Sequence, residues 1–140
     1  MSSLDAIKVA VEGIPEATHT AQNALPVLHE IRHALEKLAS TGEPTVIDLS
    51  AIPFGPGDLS QLFEALGKGE VEASVNAFGE TRVSETQYPG VWLVQHFSPQ
   101  GNDLATHIEV TRLPSMLVTP EQDIADASAA LAQHLQQDID

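Results

Sequence analysis

Residues 71–77, VEASVNA, place Val71, Ala73, Val75 and Ala77 on one side and Glu72, Ser74 and Asn76 on the other. A period of two gives one apolar and one wet face only in an extended chain, so the stretch is a strand. The same reading carries downstream. Strands are predicted over 81–87, 91–97 and 104–111, separated by the tight "YPG" and by the polar turn "SPQGND", which makes a meander of antiparallel neighbours. In 104–111, Leu104, Thr106, Ile108 and Val110 share one face, while His107 and Glu109 share the other.

Upstream the period lengthens. Ala24, Leu25, Leu28, Ile31, Leu35 and Leu38 recur at three- and four-residue steps, the spacing of an amphipathic helix. Asn23 or Thr20 is the candidate cap. Pro26 is tolerated only in a first turn, which favours a start near Asn23, and Gly42 with Pro44 ends the helix. "TVIDLS" (45–50) reads as a short buried strand. Asp58 and Gln61 form a capping-box pattern for a second helix with Leu59, Leu62, Phe63 and Leu66 inward, stopped by Gly67 and Gly69. Thr119, Pro120 and Gln122 open a third, predicted to close the domain with Ile124, Ala127, Leu131 and Leu135 inward. Strands and helices segregate along the chain. The fold expected is α+β, a mostly antiparallel sheet of four to five strands with three helices packed largely on one face. Residues 1–140 read as one domain, with 1–20 a loosely ordered or edge-strand lead-in.

Composition narrows the function. Six Lys and Arg against 20 Asp and Glu give a formal net charge of −14, which repels phosphate backbones and anionic membrane surfaces. Neither nucleic acid nor membrane insertion is expected, since no window approaches the roughly 20 apolar residues of a span. The start carries neither a basic n-region nor a long apolar run, and a cytoplasmic location is the default expectation. Without cysteine the chain has no thiol nucleophile and no thiolate ligand for zinc or an iron–sulfur cluster.

The motif closest to chemistry is His29-Glu30-x-x-His33, the spacing of a zinc-hydrolase helix. On a helical wheel both imidazoles fall away from the apolar stripe. The residues after His33 lack the glycine and histidine of the longer metzincin signature, which leaves Glu64 as the one placed candidate for a third ligand. Its neighbours Leu62, Phe63 and Leu66 turn it toward water. The pattern is read as coincidence, with a His-based metal-handling protein, delivering nickel or hydrolytic through zinc, as the alternative. His96 and His107, on strands that pair across 98–103, form a second weak constellation. Asp48 reads as the cap of a following turn, and no cofactor is called for.

The stretch "ETQYPGVWLVQHF" (85–97) holds the sole Tyr and the sole Trp. Val91, Leu93 and Phe97 face one way, Trp92 and Val94 the other, so both faces of this strand are apolar. One is core. The second needs cover, from a helix of the chain or from another protein, and aromatic anchors dominate protein interfaces.

Taken together, "LHEIRHALEKLASTGEPTVIDLSAIPFGPGD", "LGKGEVEA", "ETQYPGVWLVQHF" and "IEVTRLP" resemble the HupH (HyaF-type) hydrogenase expression/formation proteins over roughly residues 25 to 135. The resemblance implies a non-enzymatic accessory protein, or chaperone, for maturation of an uptake NiFe hydrogenase, with the iron–sulfur small-subunit precursor as partner and other maturation proteins beside it. Typical members are about twice this length. A single copy leaves a short homologue, a separated domain or a self-associated homodimer open. The binding surface expected is Tyr88, Pro89, Gly90 and Trp92, with Glu85 and Glu109 as polar neighbours.

Overall fold

The computed structural model describes residues 23–139 of the chain. The 1–20 lead-in and the alternative cap Thr20 lie outside the described residues. The elements run α1 (Ala24–Thr41), β1 (Thr45–Asp48), a 3-10 turn (Leu49–Ala51), α2 (Asp58–Leu66), β2 (Glu72–Asn76), β3 (Glu80–Glu85), β4 (Val91–Phe97), β5 (Asp103–Val110), a second 3-10 turn (Ser115–Leu117) and α3 (Glu121–Ile139). All five strands form one antiparallel sheet in the order β1-β5-β4-β3-β2. The α+β class read from the sequence is therefore the class observed, with β1 supplying the fifth strand.

The meander explains the order. β2 through β5 are sequential neighbours joined by tight turns, and β1 joins at the free edge of β5, pairing Thr45 with Val110 and Ile47 with Ile108. This corrects the expectation of a buried strand at 45–50. Of β1 only Ile47 is buried, Val46 faces solvent, and the chain leaves extended geometry at Leu49 because the Asp48 carboxylate accepts the Ser50 N–H at 2.9 Å and caps a 3-10 turn. Asp48 thus has the capping use expected of it.

α1 and α2 cover one face of the sheet over β1, β5 and the near half of β4. Ala24, Val27, Ile31 and Ala34 from α1 and Leu62 and Leu66 from α2 pack on Ile47, Val91, Ile108 and Val110. Each fully buried aliphatic side chain here contributes about 1.5–3 kcal/mol relative to exposure. The stripe of α1 is rotated from the expected one. Leu25, predicted inward, is 62% exposed, whereas Val27 and Ala34 are buried; Leu28, Leu35 and Leu38 pack partly against the core. Apolar residues cover so much of this helix that the wheel leaves a broad choice of inward direction, and the contact with the sheet selects the 24-27-31-34 row.

The caps also differ from expectation. Asn23 adopts helical backbone angles and makes no side-chain cap; its amide instead donates to the Pro53 carbonyl at 2.6 Å, tying the start of α1 to the 52–57 loop. Asp58 does not form the expected box with Gln61. Gly57 takes the cap position with φ +84, and Asp58, fully buried one residue inside the helix, reaches back to accept the Gly55 N–H at 2.7 Å.

The third helix overturns its prediction. Ile124, Leu131 and Leu135 are all more than half exposed, Leu131 by 58%, so α3 does not close the domain with this face inward. Its period was legible. What a helix packs against is a tertiary property that period alone does not carry. Among the described residues, no helix is long and apolar enough to cross a membrane.

Candidate functional site

Between β3 and β4 the chain turns through Thr86–Gly90, and a set of hydrogen bonds holds the turn. Thr86 is buried; its hydroxyl accepts the Tyr88 N–H at 3.1 Å and lies 3.2 Å from the Tyr88 carbonyl. The backbone closes with Thr86 N–H to Val91 O and Val91 N–H to Tyr88 O, both 3.0 Å. Gln87 anchors the turn to the end of α2, donating from its backbone to Leu66 O and from its side chain to Ala65 O. Gly90, at φ +96, accepts the Thr111 N–H at 2.8 Å; a side chain there would be conformationally strained. This network fixes the backbone while leaving Tyr88 and Pro89 exposed.

Trp92 follows on the sheet face opposite α1 and α2. It packs with Val83, Val94 and, in part, Ala73 and Leu117. The cover the second apolar face required is neither a helix nor a second protein but the segment after β5. This segment, residues 111–118, folds back over Trp92, whose indole N–H donates to Thr111 O at 3.1 Å. Trp92 is only 7% exposed. It is a pillar under the surface, whereas Tyr88, Leu113, Met116 and Val118 are the apolar side chains presented outward around it. Sequence reasoning named Tyr88 and missed the other three. The apolar run in "RLPSMLV" (112–118), too irregular for a strand or helix, was the available signal.

Glu109 shares that face and is likewise buried. Its carboxylate accepts the Ser115 N–H at 3.2 Å and lies 3.0 Å from His107 Nε2, so it fastens the 111–118 segment to β5. Buried carboxylates require such partners. His107 in turn lies 5.6 Å, ring to ring, from His96, which meets Thr81 Oγ1 at 2.9 Å. Glu85 serves the other end of its strand, accepting the Glu70 N–H at 3.2 Å. Of the six residues named from sequence, Tyr88, Pro89, Gly90, Trp92 and Glu109 meet at the turn and the covering segment, while Glu85 turns to the 69–71 loop.

The alternative constellation is not assembled. His29 and His33 are exposed on α1, with His33 Nε2 3.5 Å from the Arg32 guanidinium. Glu64 lies on α2 beside a separate cleft. Among the described residues, no group of three His, Asp or Glu is placed to hold a metal ion.

That cleft occupies the helix-bearing face where α1 and α2 stop short. Its volume is about 440 Å³, and Phe63, Leu66, Val71 and Leu93 supply apolar walls. Arg82 reaches into it but is already engaged: it pairs with Glu80 at 3.3 Å and its guanidinium stands 4.9 Å above the Phe97 ring. The Ser74 hydroxyl at 2.6 Å, and Arg82 after it, hold the Glu80 carboxyl below the usual carboxylate range. A lowered folded-state value means the tie is intact above the ordinary carboxylate range and is lost as pH falls through that lowered value. In an NMR titration Glu80 is expected to have a midpoint below that of an unpaired glutamate, and Ser74→Ala should raise it. An unchanged midpoint in Ser74→Ala would contradict this account.

Residues 21–137 match the family model described as HupH hydrogenase expression protein, C-terminal conserved region. Hydrogenase expression/formation protein HoxQ of Azotobacter vinelandii is 35% identical over 116 residues, covering 79% of this chain and 40% of that protein. HupH of Rhizobium leguminosarum bv. viciae is 31% identical over 132 residues, covering 90% of this chain and 47% of that protein. The chain thus spans less than half the length of these curated relatives. The structure of hydrogenase expression protein HupH from Thiobacillus denitrificans superposes with a TM-score of 0.79 at 43% identity, covering 82% of this chain and 96% of that one. A family match across most of the chain, with the sheet and helices shared by a solved relative, places this protein among the HupH hydrogenase expression proteins, to whose C-terminal conserved region it belongs.

Proposed function

We propose that the protein is a non-enzymatic accessory factor in hydrogenase maturation that holds the iron–sulfur small-subunit precursor against the surface formed by the 86–90 turn and the 111–118 segment. The curated relatives, of which this chain spans less than half, are named as hydrogenase expression/formation proteins, which supports the accessory role. The observation that carries the surface is the rigid turn presenting Tyr88 and Pro89 beside a segment that leaves Leu113, Met116 and Val118 outward. Fixing the backbone in advance reduces the ordering cost of association. An aromatic side chain among exposed apolar neighbours is the composition that anchors protein interfaces.

The test is native mass spectrometry of the chain co-expressed with the small-subunit precursor, comparing wild type with Tyr88→Ala and Leu113→Asp. Both positions are exposed, so each variant should keep its stability within about 0.5 kcal/mol. Each should lose the complex by about tenfold or more, the cost of about 1.4 kcal/mol or more at an anchor position. The same spectra report whether the precursor is held by one copy or a pair. Undiminished complex in both folded variants would overturn the surface, and a wild-type chain that never captures the precursor would overturn the partner.

A further inference from the structure

Among the described residues, α1 and α2 leave part of their sheet face bare, and this part points to a second docking site. The cleft beside Glu64 continues into a second hollow of about 290 Å³ between α2 and β5, and the two share Phe63 and Gln95. Together they make a groove across β3, β4 and β5, directly beside α2. Three of its apolar side chains, Leu59, Val71 and Leu104, are exposed, Leu104 by 65%. In a sheet with helices on one face, the bare half of that face has the shape a further helix would fill.

Charge selects the occupant. Glu64, Glu70, Glu72 and Glu85 line the first cleft and Asp103 the second. Against them stand Lys68 and an Arg82 already paired with Glu80. A second copy of this chain fits poorly, because its own uncovered helix α3 carries Glu121, Asp123 and Asp126 and neither Lys nor Arg, and the full sequence has only six basic residues. We infer that the groove takes an amphipathic, cationic segment of another protein, its apolar side chains on Phe63, Leu93 and Leu104 and its Lys or Arg side chains on the acidic rim. Like-charged partners are rejected by the same rim. The groove lies on the opposite sheet face from Trp92, and its test does not depend on the identity of the hydrogenase partner.

The probe is a short fluorescein-labelled Leu/Lys amphipathic peptide, compared with a Leu/Glu peptide of identical length and apolar pattern. Anisotropy measures affinity and amide chemical shifts locate binding on the full chain. The Leu/Lys peptide should bind at least about tenfold tighter than its Leu/Glu counterpart, more weakly as salt is added, with shifts centred on Phe63, Gln95 and Thr106. Glu64→Lys with Glu72→Lys should weaken it by about tenfold. Glu30→Lys with Glu121→Lys, which changes net charge equally but away from the groove, should have less than about a twofold effect. Equal weakening by both double variants would overturn the inference, because it would reduce the binding to a general attraction for an acidic protein. Equal affinity for the two peptides, shifts centred elsewhere, self-association through these residues, or no binding would overturn it as well.

Discussion

Trp92→Ala is expected to lower the stability of the folded chain by about 3–5 kcal/mol, the usual cost of truncating a buried tryptophan, visible as a large drop in the urea midpoint with little change in slope. Two losses combine. The indole packs with Val83 and Val94 beneath Leu117, and its N–H holds the Thr111 carbonyl. The substitution therefore also frees the 111–118 cover, and hydrogen exchange should quicken selectively there. Trp92→Phe separates the contributions: it keeps most of the ring packing and loses the N–H donor, so roughly 1 kcal/mol is expected beyond the small change in volume. A Trp92→Ala protein as stable as wild type would mean that the cover is not held from below. For the same reason Trp92 is a poor probe of partner binding, and exposed Tyr88 and Leu113 are better ones.

Leu62→Ala should cost a comparable 2–5 kcal/mol. Leu62 is fully buried on α2 within the cluster that also contains Ile31, Ile47, Val91 and Ile108. Its loss leaves a cavity between helix and sheet that neighbouring side chains only partly fill. Leu59→Ala, one turn earlier on the exposed side of the same helix, should fall within about 0.5 kcal/mol of wild type. Equilibrium denaturation of the pair checks whether α2 docks by the face described. Similar losses from both, or none from Leu62→Ala, would refute that docking.

Much of this was readable before the structure. The strand Val91–Phe97 and the onset of α1 after Asn23 are where period and turn chemistry put them, because local pattern and tertiary burial agree there. Disagreement arises where a local signal has two tertiary outcomes. The alternation at 91–97 established two apolar faces, but only the path of residues 111–118 decides that the chain covers Trp92 itself. The periodicity of α3 was correct and its predicted burial was not. Tyr88 was identifiable as a rare aromatic beside a turn, whereas Leu113, Met116 and Val118 lie in irregular backbone with no period to expose them. The cleft beside α2 depends on where two helices stop across a sheet, a feature no segment of sequence contains.

The attachment of β1 to β5 rather than to a sequential neighbour imposes an order on assembly. β2 to β5 form through short hairpin closures, but Thr45 finds Val110 only after nearly half the chain has been gathered between them, and the entropy of closing that loop opposes the step until the intervening strands have folded. During synthesis α1 and β1 emerge before β5 and must wait, with Ile31 and Ile47 uncovered, until it has left the ribosome. Of these elements, the pair made earlier is the last to acquire its hydrophobic partner.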